Sequence, residues 1–208
     1  SPQEEAGEEA VVALPLRQVF RLPKAKGALL GFFCYTAVEV TANLWTSSYA
    51  VKGFGVSEDT AAGWSSLFFL GITIGRLLSG FVAIKLSSPT LIRVGQGIGL
   101  CGILLLFLPL PQWRIPLGLC LIGGGCAPIF PAMLHQTPQV FGKKFSQAMM
   151  GVQMACSYVG GMVIPPLFGF LADFFDVRIL PAYLLLFLAL MFLGTESILR
   201  GSRQSGKQ

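Results

Sequence analysis

Six long apolar blocks, separated by short polar turns, constrain the fold of this chain more than any other feature. A helix needs about 20 apolar residues to cross the hydrocarbon core of a bilayer. Six blocks come close to this length: Gly27–Val51, Ala62–Leu86, Leu91–Leu108, Pro116–Leu134, Gln147–Ala172 and Pro181–Leu199. Only 12% of the residues are charged, about half the share of a soluble domain, and they cluster between the blocks. We therefore predict an all-α membrane protein with six transmembrane helices.

The basic residues predict the orientation of these helices. Lys52, Arg114 and Arg178 fall in turns on one side of the membrane. Eleven others fall on the side of Ser1, namely Arg17, Arg21, Lys24, Lys26, Lys85, Arg93, Lys143, Lys144, Arg200, Arg203 and Lys207. Because basic residues are enriched in cytoplasmic loops, we expect both termini to be cytoplasmic and the protein to lie in the plasma membrane.

The two ends of the chain are expected to be cytoplasmic segments. Residues 1–10 contain four glutamates and no basic residue, which is not typical of a signal peptide and is closer to an internal loop. We expect a connector with an amphipathic lead-in over residues 1–26, the helical bundle over residues 27–200, and a tail over residues 201–208.

The sequence carries no motif of an enzyme, a metal site or a nucleic-acid-binding surface. It has no glycine-rich phosphate loop and no G-x-S-x-G or H-E-x-x-H element. The five cysteines and the single histidine lack metal-ligand spacing, and buried free thiols are expected. The net charge of +5 is spread between the blocks instead of forming one basic patch. We expect no catalytic residue, no cofactor, no metal and no nucleic-acid partner.

A polar stripe follows the first block. Tyr35, Glu39, Asn43 and Ser47 recur every four residues, so they share one face of a helix. An ionised carboxylate in the middle of a bilayer is costly and must face protein or water, which makes Glu39 a candidate functional residue. A purely structural, hydrogen-bonded glutamate is the alternative interpretation.

Polar residues on the other blocks are candidates for the same site. Arg76 lies well inside the second block, at a similar depth to Glu39, and we expect the two charges to pair across adjacent helices. Gln153 and Ser157, at i and i+4 on the fifth block, either line the same cavity or serve as packing residues. His135 has either a proton-handling role or a position at the membrane interface.

Three local features suggest details of the bundle. Glu196 is interpreted as an interfacial charge and Arg178 as a solvated one. Glycines permit close helix packing, and prolines interrupt the fourth and fifth helices, either beside a cavity or as structural kinks. These small residues are Gly71, Gly75, Gly80, Gly95, Gly99, Gly123, Gly124 and Gly125, and the prolines are Pro128, Pro131, Pro165 and Pro166.

A weak internal repeat divides the blocks into two triplets. The second block ends in Gly80-Phe81-Val82-Ala83, and the fifth ends in Gly169-Phe170-Leu171-Ala172. Each is the second member of its triplet. With three helices per unit the two copies enter the membrane from opposite sides, which is the arrangement of an inverted repeat.

Four stretches resemble one transporter family. The core Tyr35-x-x-x-Glu39-Val40-Thr41, with Trp45, resembles the seventh helix of the fucose-permease-like branch of the major facilitator superfamily. The other three are similar to its eighth, tenth and eleventh helices: Leu70–Arg76, Ala127–Pro131, and Gly160-Gly161-x-x-x-Pro165 through Asp173. The resemblance implies two inverted three-helix repeats that form the carboxy-terminal half of a twelve-helix fold.

The same resemblance implies a function. It suggests a secondary active transporter that couples uptake of a small polar solute such as a sugar to protons, with a missing amino-terminal six-helix half as its partner. On this interpretation Tyr35, Glu39 and Asn43 contact the solute or the proton, Arg76 sets the charge of Glu39, and Gln153 with Ser157 hydrogen-bonds the solute. The alternatives are a non-transporting scaffold or receptor, an efflux protein of the same fold, and a half-sized transporter that works as a dimer.

Overall fold

A computed structural model describes residues 19–205 of the protein, with side chains up to residue 199. Most of the expected connector, including Arg17, and the end of the expected tail, including Lys207, lie outside the described residues. Six helices within this range are long and apolar enough to cross a membrane. They are α1 Ala25–Phe54, α2 Glu58–Val82, α3 Ser88–Phe107, α4 Arg114–Phe141, α5 Lys143–Phe174 and α6 Leu180–Ser205, and a short 3₁₀ turn, Val177–Ile179, precedes α6.

The helices are longer than the apolar blocks because polar residues continue them into the interface. α1 runs three residues past Val51, to Phe54. The next residue, Gly55, caps the helix with a φ of 66°, in the left-handed region that glycine adopts without strain. α4 and α5 are joined by Gly142 alone, with a φ of 76°. Ser57 caps α2 by accepting a hydrogen bond from the Thr60 backbone N–H at 3.4 Å.

The prolines do not end the helices that carry them. α4 and α5 continue through Pro128, Pro131, Pro138, Pro165 and Pro166, so the expected interruption is not seen, and the alternative of structural kinks stays a prediction. Neighbouring helices make this possible in a membrane, because they supply hydrogen bonds near a proline. Trp45 on α1 donates from Nε1 to the Pro165 carbonyl at 2.9 Å, and Tyr183 on α6 donates to the Ile164 carbonyl at 2.9 Å.

The two triplets interlock, as the inverted repeat predicts. α1 packs mainly on α5 and α6 of the other triplet, and α4 packs in the same way on α2 and α3. The smaller contacts within the triplets are also equivalent, since α1 contacts α2 about as extensively as α4 contacts α5. Swapping the triplets therefore maps the contact pattern onto itself. The fold is six transmembrane helices in two inverted three-helix repeats.

Glycines set the closest approaches in this arrangement. A side chain at Gly71 on α2 would strike the backbone of Cys120 on α4, and one at Gly160 on α5 would strike the backbone of Phe33 on α1. Gly71 lies nine residues before Gly80, and Gly160 lies nine residues before Gly169. The two glycines thus occupy equivalent positions in the repeat. Gly80, in contrast, has open space beside it.

One end of the bundle is organised around an aromatic ring. Phe54, the last residue of α1, carries the Arg114 guanidinium 4.6 Å from its ring centroid and the Arg178 guanidinium 5.5 Å away. Arg178 also donates from Nε to the Gly53 carbonyl at 2.9 Å. Arg178 is exposed, as expected of a solvated charge, and its side chain also ties the α5–α6 turn to α1 by cation–π and hydrogen-bond contacts.

The cysteines are free thiols, but they are not all buried. Cys34 and Cys126 lie in the core, whereas Cys120 and Cys156 are partly covered. Cys101 is exposed on the outer face of α3, where an uncharged thiol is compatible with lipid. The expected burial of every cysteine is thus wrong for Cys101, because α3 packs through its opposite face.

Candidate functional site

The polar stripe of α1 lies on an open face of the bundle. Tyr35 is buried, whereas Glu39, Asn43 and Ser47 are half-buried. α1 contacts both α2 and α5, and the three half-buried side chains leave part of the stripe uncovered. Glu39 is 14 residues from the start of α1 and 15 from its end, so it lies about 21 Å from one end and 22 Å from the other. The carboxylate is therefore at the middle of its span.

Glu39 belongs to a small cluster contributed by three helices. Tyr35 lies one turn away from Glu39 on the same face of α1, and Arg76 of α2 acts on both groups electrostatically. Cys126 of α4 borders the same cluster. Asn43, one turn further along α1, makes no hydrogen bond to any residue between 19 and 199 and remains available on the open face.

The expected direct pair between Glu39 and Arg76 is not formed. Over the described part of the chain, the ion pair closer than 4.0 Å joins Arg93 to Glu196, so Glu39 and Arg76 interact at longer range. Arg76 is exposed and lines a cavity of about 560 Å³ between α2, α3 and α4. Its guanidinium can therefore be solvated in that cavity without a carboxylate in contact.

His135 borders the same cavity as Arg76. Its Nδ1 lies 3.1 Å from the Ser88 hydroxyl, at the start of α3, and its side chain is exposed. α4 continues six residues beyond it to Phe141, so His135 is not at the helix end as its position in the sequence suggested. The cavity thus joins Arg76 to a titratable side chain nearer the end of the bundle.

Gln153 and Ser157 are engaged by protein groups. Gln153 is 1% exposed, and its Oε1 accepts from the Thr137 hydroxyl of α4 at 3.0 Å. Thr36 of α1 donates to the Ser157 carbonyl at 2.6 Å. The cavity that Gln153 lines is only about 10 Å³, enough for about one water molecule. In this conformation the two residues join α5 to its neighbours one or two turns away from Glu39.

The sequence did not indicate a buried polar link between α3 and α6. Arg93 donates to the Glu196 carboxylate twice, from Nε at 2.6 Å and from Nη2 at 3.0 Å. Gln96 donates to the Thr195 hydroxyl at 3.0 Å beside it. Glu196 is 9% exposed, so the protein covers this carboxylate, and its interpretation as an interfacial charge stays a prediction. Residue spacing within one helix does not show which helices pack together. The link could have been predicted only by knowing that the third helix packs against the sixth.

Arg93→Gln is expected to destabilise the bundle by about 1–3 kcal/mol, the range for hydrogen bonds to charged groups, reduced by the partial exposure of the arginine. The physical reason is that a buried carboxylate loses its bidentate guanidinium partner. Thermal unfolding followed by tryptophan fluorescence would measure the change. Lys85→Gln removes an exposed charge at the same end and should leave the unfolding temperature unchanged. Equal unfolding temperatures for the two variants would contradict the assignment.

Two helices expose large apolar surfaces. α2 and α5 are the least buried helices, and each exposes large hydrophobic side chains, including Leu77 and Phe81 on α2 and Tyr158, Met162 and Phe170 on α5. These side chains form an apolar wall on each of the two helices. Such a surface can be covered by lipid or by another helical bundle.

Comparison with protein families identifies the group to which this arrangement belongs. The family described as Major Facilitator Superfamily matches residues 3–206, nearly the whole chain. The chain belongs to the Major Facilitator Superfamily. It is a multi-pass membrane protein with the fold of half a facilitator. A search of curated protein sequences gave no match.

Solved facilitator structures share this fold at low sequence identity. The chain is similar to FucP in the outward conformation, with a TM-score of 0.72 and 18% identity over 87% of this chain and 44% of FucP. It is also similar to the E. coli fucose:proton symporter FucP in another structure, with a TM-score of 0.69, 18% identity and the same coverage. A peptide transporter, POT, in complex with alafosfalin gives a TM-score of 0.71 and 16% identity over 93% of this chain and 41% of the transporter. The chain thus spans less than half the length of the facilitators that it matches.

Proposed function

We propose that this chain is the carboxy-terminal half of a secondary active transporter of the fucose-permease-like branch. A second six-helix bundle covers the open face between α2 and α5, and the solute binds between the two halves. Rocking of the halves then exposes the site to each side of the membrane in turn. The apolar walls on α2 and α5 support this arrangement, because a bundle packed on them would enclose the polar stripe of α1.

The observation that carries the proposal is the position of Glu39. A carboxylate at the middle of a membrane span is costly unless it serves a function or is fully satisfied. Glu39 remains half-buried, with Tyr35 one turn away on the same helix face and Arg76 at longer range. It is therefore free to take up a proton or to accept a hydrogen bond from a solute. We propose that it carries the coupling proton.

The chemistry of the stripe supports a small polar solute such as a sugar. Tyr35, Glu39 and Asn43 offer a hydroxyl, a carboxylate and an amide, which together donate and accept hydrogen bonds to hydroxyl groups. Arg76 holds a positive charge near the carboxylate and balances its charged state. Gln153 and Ser157 take part either by contacting the solute in another conformation or by fixing α5 against its neighbours.

The basic residues support an orientation in which both termini are cytoplasmic and the bundle lies in the plasma membrane. Lys85 lies in the turn after α2 and Lys143 begins α5, both at one end of the bundle, whereas Arg114 and Arg178 both contact Phe54 at the other. By the enrichment of basic residues in cytoplasmic loops, the end with Lys85 and Lys143 faces the cytoplasm. Residues 1–26 then serve as the connector between the halves, residues 27–200 as the bundle and residues 201–208 as the tail.

A cysteine at position 43 tests whether the stripe binds solute. In the full-length protein with its native cysteines replaced, Asn43→Cys should react with a thiol reagent more slowly when a transported sugar is present. Glu58→Cys, on the exposed first turn of α2, is the matched control and should react at the same rate with or without sugar. A non-transporting scaffold or receptor that uses the stripe only for packing would show no protection at either position across a panel of sugars.

A further inference from the structure

An apolar groove runs along the outer surface of the bundle between α3 and α6. Leucines and a phenylalanine form its walls, and two small residues leave the space between them: Leu100, Leu185, Leu188, Phe192, Gly97 and Ala189. The cavity measures about 500 Å³, within the range of about 300–1,000 Å³ of small-molecule sites. Between Arg93 and Leu100 it extends about 10 Å along α3. A groove of this shape on a membrane helix pair fits a hydrocarbon chain.

Arg93 stands where this groove meets a polar cavity. The second cavity, of about 450 Å³, is lined by Ser87, Thr90 and Gln139 at the end of the bundle where α3 begins. Arg93 lines both spaces. An apolar groove and a polar cavity with one guanidinium between them match the boundary between the acyl chains and the headgroup of a phospholipid.

Hydrogen-bond donors remain available at this boundary. Arg93 uses Nε and Nη2 for Glu196, and a guanidinium has five N–H donors, so Nη1 can still bind an anion. The Ser87 and Thr90 hydroxyls bond to each other at 3.0 Å, and no side chain caps the first turn of α3. The positive end of a 20-residue helix therefore adds to the attraction for a phosphate.

A buried amide gives an independent reason to expect a ligand. Gln96 lines the polar end of the groove and is 4% exposed. Its Nε2 donates to Thr195, but its Oε1 has no hydrogen-bond partner over the described part of the chain. A buried acceptor without a donor costs free energy. A hydroxyl group on a ligand in the groove would satisfy it.

We propose that the groove between α3 and α6 binds one anionic glycerophospholipid with a hydroxylated headgroup. The phosphate contacts Arg93 and the first turn of α3, an acyl chain fills the apolar groove, and a hydroxyl reaches Gln96. The lipid comes from the leaflet on the side where α3 begins. Basic pockets between membrane helices recognise lipid headgroups in this way. The site is separate from the polar stripe of α1 and does not depend on the proposed transport function.

Native mass spectrometry of the full-length protein, titrated with phosphatidylglycerol or phosphatidylcholine, tests the proposal. The unaltered protein should retain one phosphatidylglycerol with higher affinity than phosphatidylcholine. Gly97→Leu fills the groove, and no atom lies within 4 Å of an added Cβ there, so the fold is kept. It should weaken phosphatidylglycerol binding about tenfold. Gly63→Leu, at another open position outside both cavities, should bind as the unaltered protein does. Unchanged binding by Gly97→Leu would overturn the proposal.

A second variant tests the headgroup contact. Arg93→Gln should weaken phosphatidylglycerol binding about fivefold, the effect of one basic residue at a membrane surface. It should also weaken the lower affinity for phosphatidylcholine, because both headgroups carry the phosphate. Undiminished binding of phosphatidylglycerol by Arg93→Gln would overturn the assigned contact. Inorganic phosphate serves as the last competitor. We expect it to displace the retained phosphatidylglycerol only when the phosphate is in great excess. Binding of inorganic phosphate at Arg93 without retention of any lipid would overturn the lipid assignment.

Discussion

Glu39→Gln is expected to abolish proton-driven accumulation of solute while leaving exchange of solute across the membrane intact. Glutamine keeps the size and hydrogen-bonding capacity of the side chain but cannot take up or release a proton. If Glu39 carries the coupling proton, the variant still binds solute and still rocks between its two states. Uptake of a radiolabelled sugar into proteoliposomes, with and without an imposed pH gradient, would measure accumulation. Counterflow in the same vesicles would measure exchange.

The matched control is Glu58→Gln, which removes a carboxylate from the exposed first turn of α2. It should accumulate solute as the unaltered protein does. The pH dependence separates the hypotheses further. With a proton carrier at Glu39, raising the external proton concentration drives uptake in the unaltered protein and has no effect in Glu39→Gln. A variant that keeps the full pH response would show that the coupling proton binds elsewhere and that Glu39 is a structural residue.

Gly71→Leu is expected to prevent the bundle from assembling. The new side chain would meet the backbone of Cys120, with the carbonyl carbon 3.0 Å and the Cα 3.1 Å from the added Cβ. A flexible side chain could move aside, but the backbone of α4 can yield only if the helices separate. Overpacking of this kind costs about 3 kcal/mol or more. Size-exclusion chromatography of the purified variant should show aggregated protein in place of a monodisperse peak.

Gly80→Leu controls for the change of residue type on the same helix. Nothing lies within 4 Å of an added Cβ at Gly80, and leucine has a higher helix propensity than glycine. This variant should elute as a monodisperse peak and unfold at the same or a higher temperature. If both variants behaved alike, the close approach of α2 and α4 at Gly71 would not be a requirement of the fold.

The apolar blocks predicted the number and order of the helices because each block has the length that the bilayer demands. They did not predict where the helices end. α5 begins at Lys143, four residues before the block at Gln147, because charged residues extend a helix into the polar interface at little cost. Prolines were also misleading, since a proline breaks a helix in water, whereas α4 continues through Pro128 and Pro131.

The candidate site was predictable only where its residues share one helix. The four-residue spacing placed Tyr35, Glu39 and Asn43 on one face of α1, which they share in the structure. The spacing of residues along one helix could not predict which side chains meet between helices. Arg76 was expected to pair with Glu39, yet the direct ion pair joins Arg93 and Glu196, which are 103 residues apart. Which charges meet depends on the order in which helices pack, and that order is not encoded by periodicity within one helix.

The interlocked triplets have a consequence for how the protein is made. Neither triplet has a core of its own, because α1 packs mainly on α5 and α6, and α4 packs mainly on α2 and α3. A nascent chain that has inserted α1 to α3 but not yet α4 to α6 cannot form most of the contacts of α1. Contacts between segments far apart in the sequence also slow folding, because long loops must close before those contacts form. We therefore expect α1 to α3 to reach their final packing only after the last three helices have been inserted.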